Sequence, residues 1–157
     1  MAAVATALVK KMQELDAAQA GVYESAYTDF SRRWQEATLA WEEKAAPLRG
    51  KRAITHHKSW VYLERWLGVE EADNLEAVPG LPPTATHLSK LTNEFADGGA
   101  EMIIRSPYQD SKPSLWLSER TGIPAIVLPL TKGGTDEATD LFSLFDDIID
   151  RMLGAIK

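Results

Sequence analysis

The sequence of 157 residues contains no cysteine. This absence excludes disulfide bonds, thiolate metal sites and a cysteine nucleophile. The chain also lacks a stretch of roughly 20 apolar residues, which a membrane span needs, so we expect no membrane insertion. At the amino terminus, MAAVATALVKKM places its lysines after the apolar run, and no small-residue cleavage site follows. We therefore expect no signal peptide in this chain.

Several familiar motifs are missing as well. The segment Lys132-Gly133-Gly134-Thr135 is rich in glycine but lacks Walker spacing, and no G-x-G-x-x-G or G-x-S-x-G motif is present. A net charge of -6 argues against nucleic acid or an anionic membrane surface as a partner. With 45% hydrophobic and 25% charged residues, the composition is typical of a soluble globular protein, and the length predicts one domain with an appended element.

Two helices are predicted at the amino-terminal end. The second begins at Asp16 as its N-cap and runs to Pro47, some thirty residues, which is far above the usual helix length. Such a helix suits a spine between two lobes. We expect the apolar and aromatic side chains on one face of this helix to pack on the body of the domain, and an aromatic binding face is the alternative. The first helix carries Val4, Leu8, Met12 and Leu15 on one side, and the second carries Tyr23, Tyr27, Phe30, Trp34, Ala37, Trp41 and Leu48.

After Gly50 the chain repeats one pattern four times: a short apolar run, a polar or proline-rich loop, and an amphipathic helix. This alternation predicts an α/β fold, a four-stranded parallel sheet flanked by helices and preceded by the long amino-terminal helix. Residues 1–50 form the helical segment and residues 51–157 the α/β lobe. Thr84 is a predicted helix N-cap and Gly122 a C-cap. The final helix is predicted to carry apolar residues from Ala138 to Met152. The predicted strands are Ala53–Thr55, Asn74–Ala77, Met102–Ile104 and Ala125–Leu128.

Two of the three histidines, His56 and His57, directly follow the first predicted strand. Parallel sheets bind ligands outside the carboxyl ends of their strands. A helix starting near Ser59 would point its positive end at this place and keep the imidazoles neutral, ready to bind a metal or act as a base. A role in helix capping or in a polar rim is an equal alternative. The same rim is predicted to hold Glu76, Tyr108, Asp110 and Thr131 to Asp136, whereas His87 is predicted to be a surface or capping residue.

Several segments in this order resemble the carboxyl-terminal half of the zinc and manganese substrate-binding proteins of ATP-binding-cassette importers. They are AVATALVKKMQELDAAQAGVYESAYTDFSRRW, ITHHKSWVYLERWLG, LEAVPGLPPTATHLSKL, IIRSPYQD, WLSERTGIPAIVLPLTKGG and FDDII. The resemblance covers essentially the whole chain. It implies a non-catalytic, periplasmic or surface-anchored protein that carries zinc or manganese between two lobes and delivers it to a membrane permease.

The resemblance also implies a ligand. The family's carboxyl-lobe histidine stands directly before a segment that here is Ser59-Trp60-Val61-Tyr62, so His57 is the matching position and His56 the second choice. The family's amino-terminal lobe, with two further histidine ligands, has no counterpart in this chain. A single histidine ligand in this chain implies weak metal binding until another lobe closes the site.

A second departure concerns the acidic ligand that many members place after the last strand. The corresponding stretch here is Val127-Leu128-Pro129-Leu130, and Leu130 cannot coordinate a metal. The missing acid favours Zn²⁺ over Mn²⁺, which prefers more oxygen ligands. Possible substitutes at the rim are Glu76, Asp110 and Asp136.

Two other functions remain open at this stage. One is a small α/β enzyme with His57 as general base, assisted by Thr131 or Tyr108. The other is a non-catalytic interaction module that docks a partner through the aromatic stripe, which would then be exposed over a large area. A homodimer that covers the surface facing the other lobe is also possible.

Overall fold

The structure is a computed structural model that describes residues 1–156. The chain divides into two compact units, Met1–Glu43 and Lys44–Lys157. None of the helices within residues 1–156 is long and apolar enough to cross a membrane.

The first unit is a pair of helices. Helix α1 spans Ala2–Leu15 and helix α2 spans Ala20–Lys44, with a short 3-10 turn at Ala17–Gln19 between them. Helix α2 itself begins at Ala20 and not directly after Asp16. Asp16 ends α1 and is the N-cap of the 3-10 turn that leads into α2, and its carboxylate accepts a hydrogen bond from Tyr23 at 3.0 Å. Helix α2 therefore has 25 residues, shorter than predicted.

The side chains between the two helices are partly polar. The Thr6 and Tyr27 hydroxyls lie 2.8 Å apart, and the Gln13 amide donates to Glu24 at 2.9 Å. The predicted stripe on α2 is present, with Phe30 stacked on Trp34. The four residues predicted on one side of α1, Val4, Leu8, Met12 and Leu15, are all exposed.

The second unit contains the predicted parallel sheet. Its strands are β1 (Arg52–Thr55), β2 (Glu70–Asn74), β3 (Met102–Arg105) and β4 (Ala125–Val127), in the order β2-β1-β3-β4. All three strand pairs are parallel. The α/β prediction is therefore confirmed. The flanking helices are α3 (Val61–Leu67), α4 (Ala85–Glu94), α5 (Ser111–Thr121) and α6 (Leu141–Ala155).

Apolar packing holds the helices to the sheet. Ile54 and Ile103, on the two central strands, form one buried cluster with Leu88, Leu91 and Leu117 from α4 and α5. Burial of each such side chain contributes about 1.5–3 kcal/mol, before the opposing loss of chain entropy. Helices α3 and α6 meet through an edge-to-face contact between Trp66 and Phe145, with ring centroids 5.8 Å apart.

Three predicted boundaries need correction. The second strand is Glu70–Asn74 and not Asn74–Ala77, so Glu76 lies two residues beyond the strand. Helix α3 begins at Val61, two residues later than expected, and has only seven residues. Helix α6 begins at Leu141 because a capping box between Asp140 and Ser143 fixes its first turn, which leaves Ala138 buried in the preceding loop.

Candidate metal site

The backbone beyond β1 brings the two histidines and Glu76 together. The His56 amide donates to the Ile104 carbonyl at 2.7 Å, so the ladder with β3 continues past the end of β1. On the other side, the Glu76 amide donates to the His56 carbonyl at 3.2 Å. Glu76 is thus aligned beside His57 although 19 residues separate them in the sequence.

His57 has one ring nitrogen bound and one available. Its Nδ1 lies 2.7 Å from Oε2 of Glu76, and 36% of its side chain is exposed. A carboxylate can only accept, so Nδ1 carries the proton and Nε2 keeps its lone pair when the ring is neutral. This is the arrangement in which histidines usually bind metals, with the second ring nitrogen held by a carboxylate.

Glu76 is itself held in place from two sides. Its side chain is 14% exposed, and Oε2 also accepts a hydrogen bond from the Gly80 amide at 2.8 Å. Burial raises the pKa of Glu76, but the hydrogen bonds from His57 and Gly80 outweigh it, so the net pKa lies below its usual range. The carboxylate stays ionised at neutral pH. Gly80 has a φ of 83°, a conformation that suits glycine, and this turn aims its amide back at Glu76.

His56 has a different environment from its neighbour. Its side chain is only 6% exposed, Nε2 lies 3.8 Å from Oε1 of Glu76, and Nδ1 is buried without a hydrogen-bond partner among residues 1–156. Burial lowers the pKa of His56, against the opposing charges of Glu76 and Asp110. Burial therefore favours the neutral form of this imidazole.

The other predicted rim residues do not complete a metal site. Asp110 caps α5 by accepting a hydrogen bond from the Lys112 amide at 3.0 Å, and Asp136 is exposed in the loop after β4. Tyr108 is exposed as well. Within residues 1–156, no three histidine, aspartate or glutamate side chains are grouped so that they could hold a metal ion.

The sequence predicts only a capping or surface role for His87. Its amide is indeed capped by Thr84, whose hydroxyl oxygen accepts at 3.2 Å. Its ring also contacts the Asn74 carbonyl through Nε2 at 2.8 Å, at the end of β2. The ring lines the same polar cleft, of about 430 Å³, as His57 and Glu76. The amide bond is predictable, because His87 is the third residue after the N-cap Thr84. No sequence pattern predicts the contact between the His87 ring and the Asn74 carbonyl.

The family model "Zinc-uptake complex component A periplasmic" (ZnuA) matches residues 1–155. The chain belongs to this family. Among curated proteins, none matches the chain. Membership in the ZnuA family confirms the resemblance drawn from the sequence motifs. It also confirms that the chain is not an enzyme, because this is a family of uptake components.

Solved structures of similar proteins share the fold. One described as ZnuA has a TM-score of 0.80 at 20% identity, over 97% of this chain and 55% of that chain. The cadmium-bound periplasmic metal-binding protein of Candidatus Liberibacter asiaticus has 0.76 at 14%, over 98% and 59%. The binding protein FpvC of Pseudomonas aeruginosa, in complex with Ni²⁺, has 0.74 at 18%, over 95% and 56%. The chain thus spans between half and three-fifths of the length of these relatives.

Proposed function

We propose that this chain supplies one half of a metal-ion site in the substrate-binding protein of an ATP-binding-cassette importer. The observation that carries this proposal is the 2.7 Å hydrogen bond between Nδ1 of His57 and Glu76. It fixes the tautomer that leaves Nε2 free, on a partly exposed ring at the ligand-binding edge of the sheet. Two of the solved relatives are described with Cd²⁺ and Ni²⁺ bound, which supports a divalent cation as cargo.

Zinc is the cargo that these side chains favour. Neutral imidazole is a preferred Zn²⁺ ligand, whereas Mn²⁺ favours carboxylate and carbonyl oxygens. The nearest carboxylate, Glu76, already holds His57 and the Gly80 amide with the same oxygen. We therefore assign Glu76 to orienting the ligand rather than to binding the metal, and we leave Asp110 and Asp136 out of the site.

The remaining ligands are proposed to come from a second lobe. A zinc site needs three or four protein ligands, and residues 1–156 contain no group of three. The solved ZnuA structure has a chain nearly twice as long as this one, which is long enough to include such a lobe. In this proposal residues 51–157 are the carboxyl-terminal lobe, residues 1–50 include the helix that joins the lobes, and the complete protein works in the periplasm with a permease as partner.

An apolar groove in the helical unit is a second observation in favour of the proposed second lobe. It lies along α1 and α2, has a volume of about 280 Å³, and is lined almost entirely by apolar side chains that include Leu8, Met12, Tyr27 and Phe30. Exposed apolar surface of this kind marks interaction sites. We propose that the second lobe covers it, with a second copy of this chain as the alternative. Light scattering tests the alternative: a dimer that Leu8→Glu dissociates would favour the second copy.

Zinc titration of the chain, followed by the imidazole ¹⁵N resonances of His57, tests the metal proposal. We expect weak, saturable binding that shifts Nε2 of His57 and disappears in His57→Ala, because this ring is the one ligand that the proposal assigns to residues 1–156. Asp136→Asn is the matched control and should bind as the wild type does. Unchanged binding by His57→Ala, or a shift centred on His56, would refute the ligand assignment.

A further inference from the structure

His87 forms hydrogen bonds at both ends of one loop. The loop runs from Leu75, directly after β2, to Thr84, directly before α4. At its start, the His87 ring contacts the Asn74 carbonyl through Nε2 at 2.8 Å. At its end, the His87 amide donates to the Thr84 hydroxyl at 3.2 Å. A single residue thus closes a segment of ten residues, which we call the β2–α4 loop.

The β2–α4 loop carries the group that orients the proposed ligand. Glu76 is its second residue, and Gly80, whose amide donates to Glu76, lies in its middle. Residues 77–82 are exposed, so few buried contacts hold the centre of the loop. Its position therefore depends on the two closed ends and on the bonds that Glu76 makes.

We propose that His87 is a positioning residue for the metal site, which holds the β2–α4 loop so that Glu76 keeps the tautomer of His57. The inference rests on the proposed function for the role of His57, but the contacts through which it acts do not involve a metal ion. His87 does not bind the metal in this proposal. It acts through the Asn74 carbonyl, two residues before Glu76.

The chemistry of the contact defines the useful variants. The Asn74 carbonyl only accepts, so the nitrogen Nε2 of His87 donates. A glutamine side chain at position 87 also ends in an N–H donor and can restore the bond. Leucine is apolar and cannot, and it leaves the carbonyl without its partner. Both residues are good helix formers, so α4 itself tolerates either.

The test compares His87→Gln and His87→Leu in the chain without metal. The first measurement is the hydrogen exchange of the Gly80 amide, which reports its bond to Glu76. Loss of one hydrogen bond is worth about 1 kcal/mol, so His87→Leu should speed this exchange about fivefold or more, and His87→Gln should stay near the wild type. The second measurement is the ¹⁵N spectrum of His57, which should change from one tautomer to a mixture in His87→Leu only.

Exchange at Ile103 and Ile104, in the buried strand β3, separates positioning from general destabilisation. We expect it to remain unchanged while Gly80 loses protection. The proposal is overturned if Gly80 and β3 lose protection equally, if the tautomer of His57 is unaffected by leucine, or if glutamine fails to restore it. Because these experiments use no zinc, a chain that never binds zinc would refute the proposed function and leave this result intact.

Discussion

The loops after β2 and after β4 leave the same edge of the sheet, but their side chains form hydrogen bonds with different parts of the protein. In the β2–α4 loop, the Glu76 carboxylate is bound to His57 and to the Gly80 amide. In the loop after β4, the Thr135 hydroxyl donates to Asp147 of α6 at 2.6 Å. Within the loop after β4, the Gly133 amide donates a hydrogen bond to the Ala138 carbonyl at 2.7 Å.

This difference shows that a shared edge does not by itself assemble a site. Parallel strands bring all their following loops to one side, but a carboxylate reaches a histidine only where register and turn geometry direct it there. Glu76 meets this condition because its amide extends the ladder beside His56. The loop after β4 presents Leu130 and an exposed Asp136 instead. The candidate site therefore lies on the β1 and β2 side of the sheet.

Among variants that compare the two loops, the largest effect is expected from removing the Glu76 carboxylate of the β2–α4 loop. Glu76→Ala should weaken zinc binding by about tenfold to a hundredfold, because a ligand histidine that loses its carboxylate partner loses orientation and basicity. Glu76→Gln should lie between this variant and the wild type, since it keeps an acceptor oxygen without the charge. Zinc titration followed by the His57 resonances measures both.

Glu137 provides the matched control in the other loop. It is exposed and pairs with Arg151 at 2.7 Å, on the α6 side. Glu137→Ala should leave zinc binding unchanged, because an exposed ion pair contributes little and this one does not contact the histidines. Equal losses in Glu76→Ala and Glu137→Ala would show that net charge, and not the β2–α4 loop, controls metal binding.

A smaller effect is expected from acid, through the buried neighbour of the ligand. Burial lowers the pKa of His56 from its ordinary value of 6.5, so the unfolded chain binds a proton that the folded chain does not. The free energy of unfolding should therefore fall as the pH drops below 6.5 towards the folded pKa of His56. Glu76, whose pKa is also lowered, adds a further loss below its ordinary value of 4.5.

Urea unfolding of the metal-free chain between pH 8 and pH 5 measures the contribution of His56. His56→Gln does not titrate and should flatten the dependence between pH 6.5 and pH 5. Asp136→Asn, on the loop after β4, should retain the dependence of the wild type. A variant His56→Gln whose stability falls with acid as steeply as the wild type would assign the loss to another group.

The sequence predicted those features that depend on local rules. The apolar run Met102–Ile104 gave a buried central strand, Thr84 gave an N-cap, and Gly122 gave a left-handed C-cap. The histidines were placed correctly at a strand end because the order of strand, histidine and helix survives errors of a residue or two in the boundaries. Each of these features needs only a few neighbouring residues.

Features set by distant contacts were missed. The strand Glu70–Asn74 lies at the edge of the sheet, where acidic side chains stay in solvent and pair with groups such as Lys58, so it lacks the apolar pattern of a buried strand. The bond between Glu76 and His57 joins residues 19 positions apart. The Glu76 carboxylate was predicted as a possible metal ligand because the sequence alone does not show that His57 and the Gly80 amide already form hydrogen bonds with it.

The smallest effect is expected at Asp136, which tests whether the loop after β4 contributes to the site at all. This carboxylate is exposed and the structure gives it no role in holding His57, so Asp136→Asn should change the zinc affinity by no more than about twofold. Isothermal titration of both proteins in the same buffer is sufficient. A tenfold loss would mean that this loop moves to the histidine when metal binds, and the edge would then supply ligands from both of its sides.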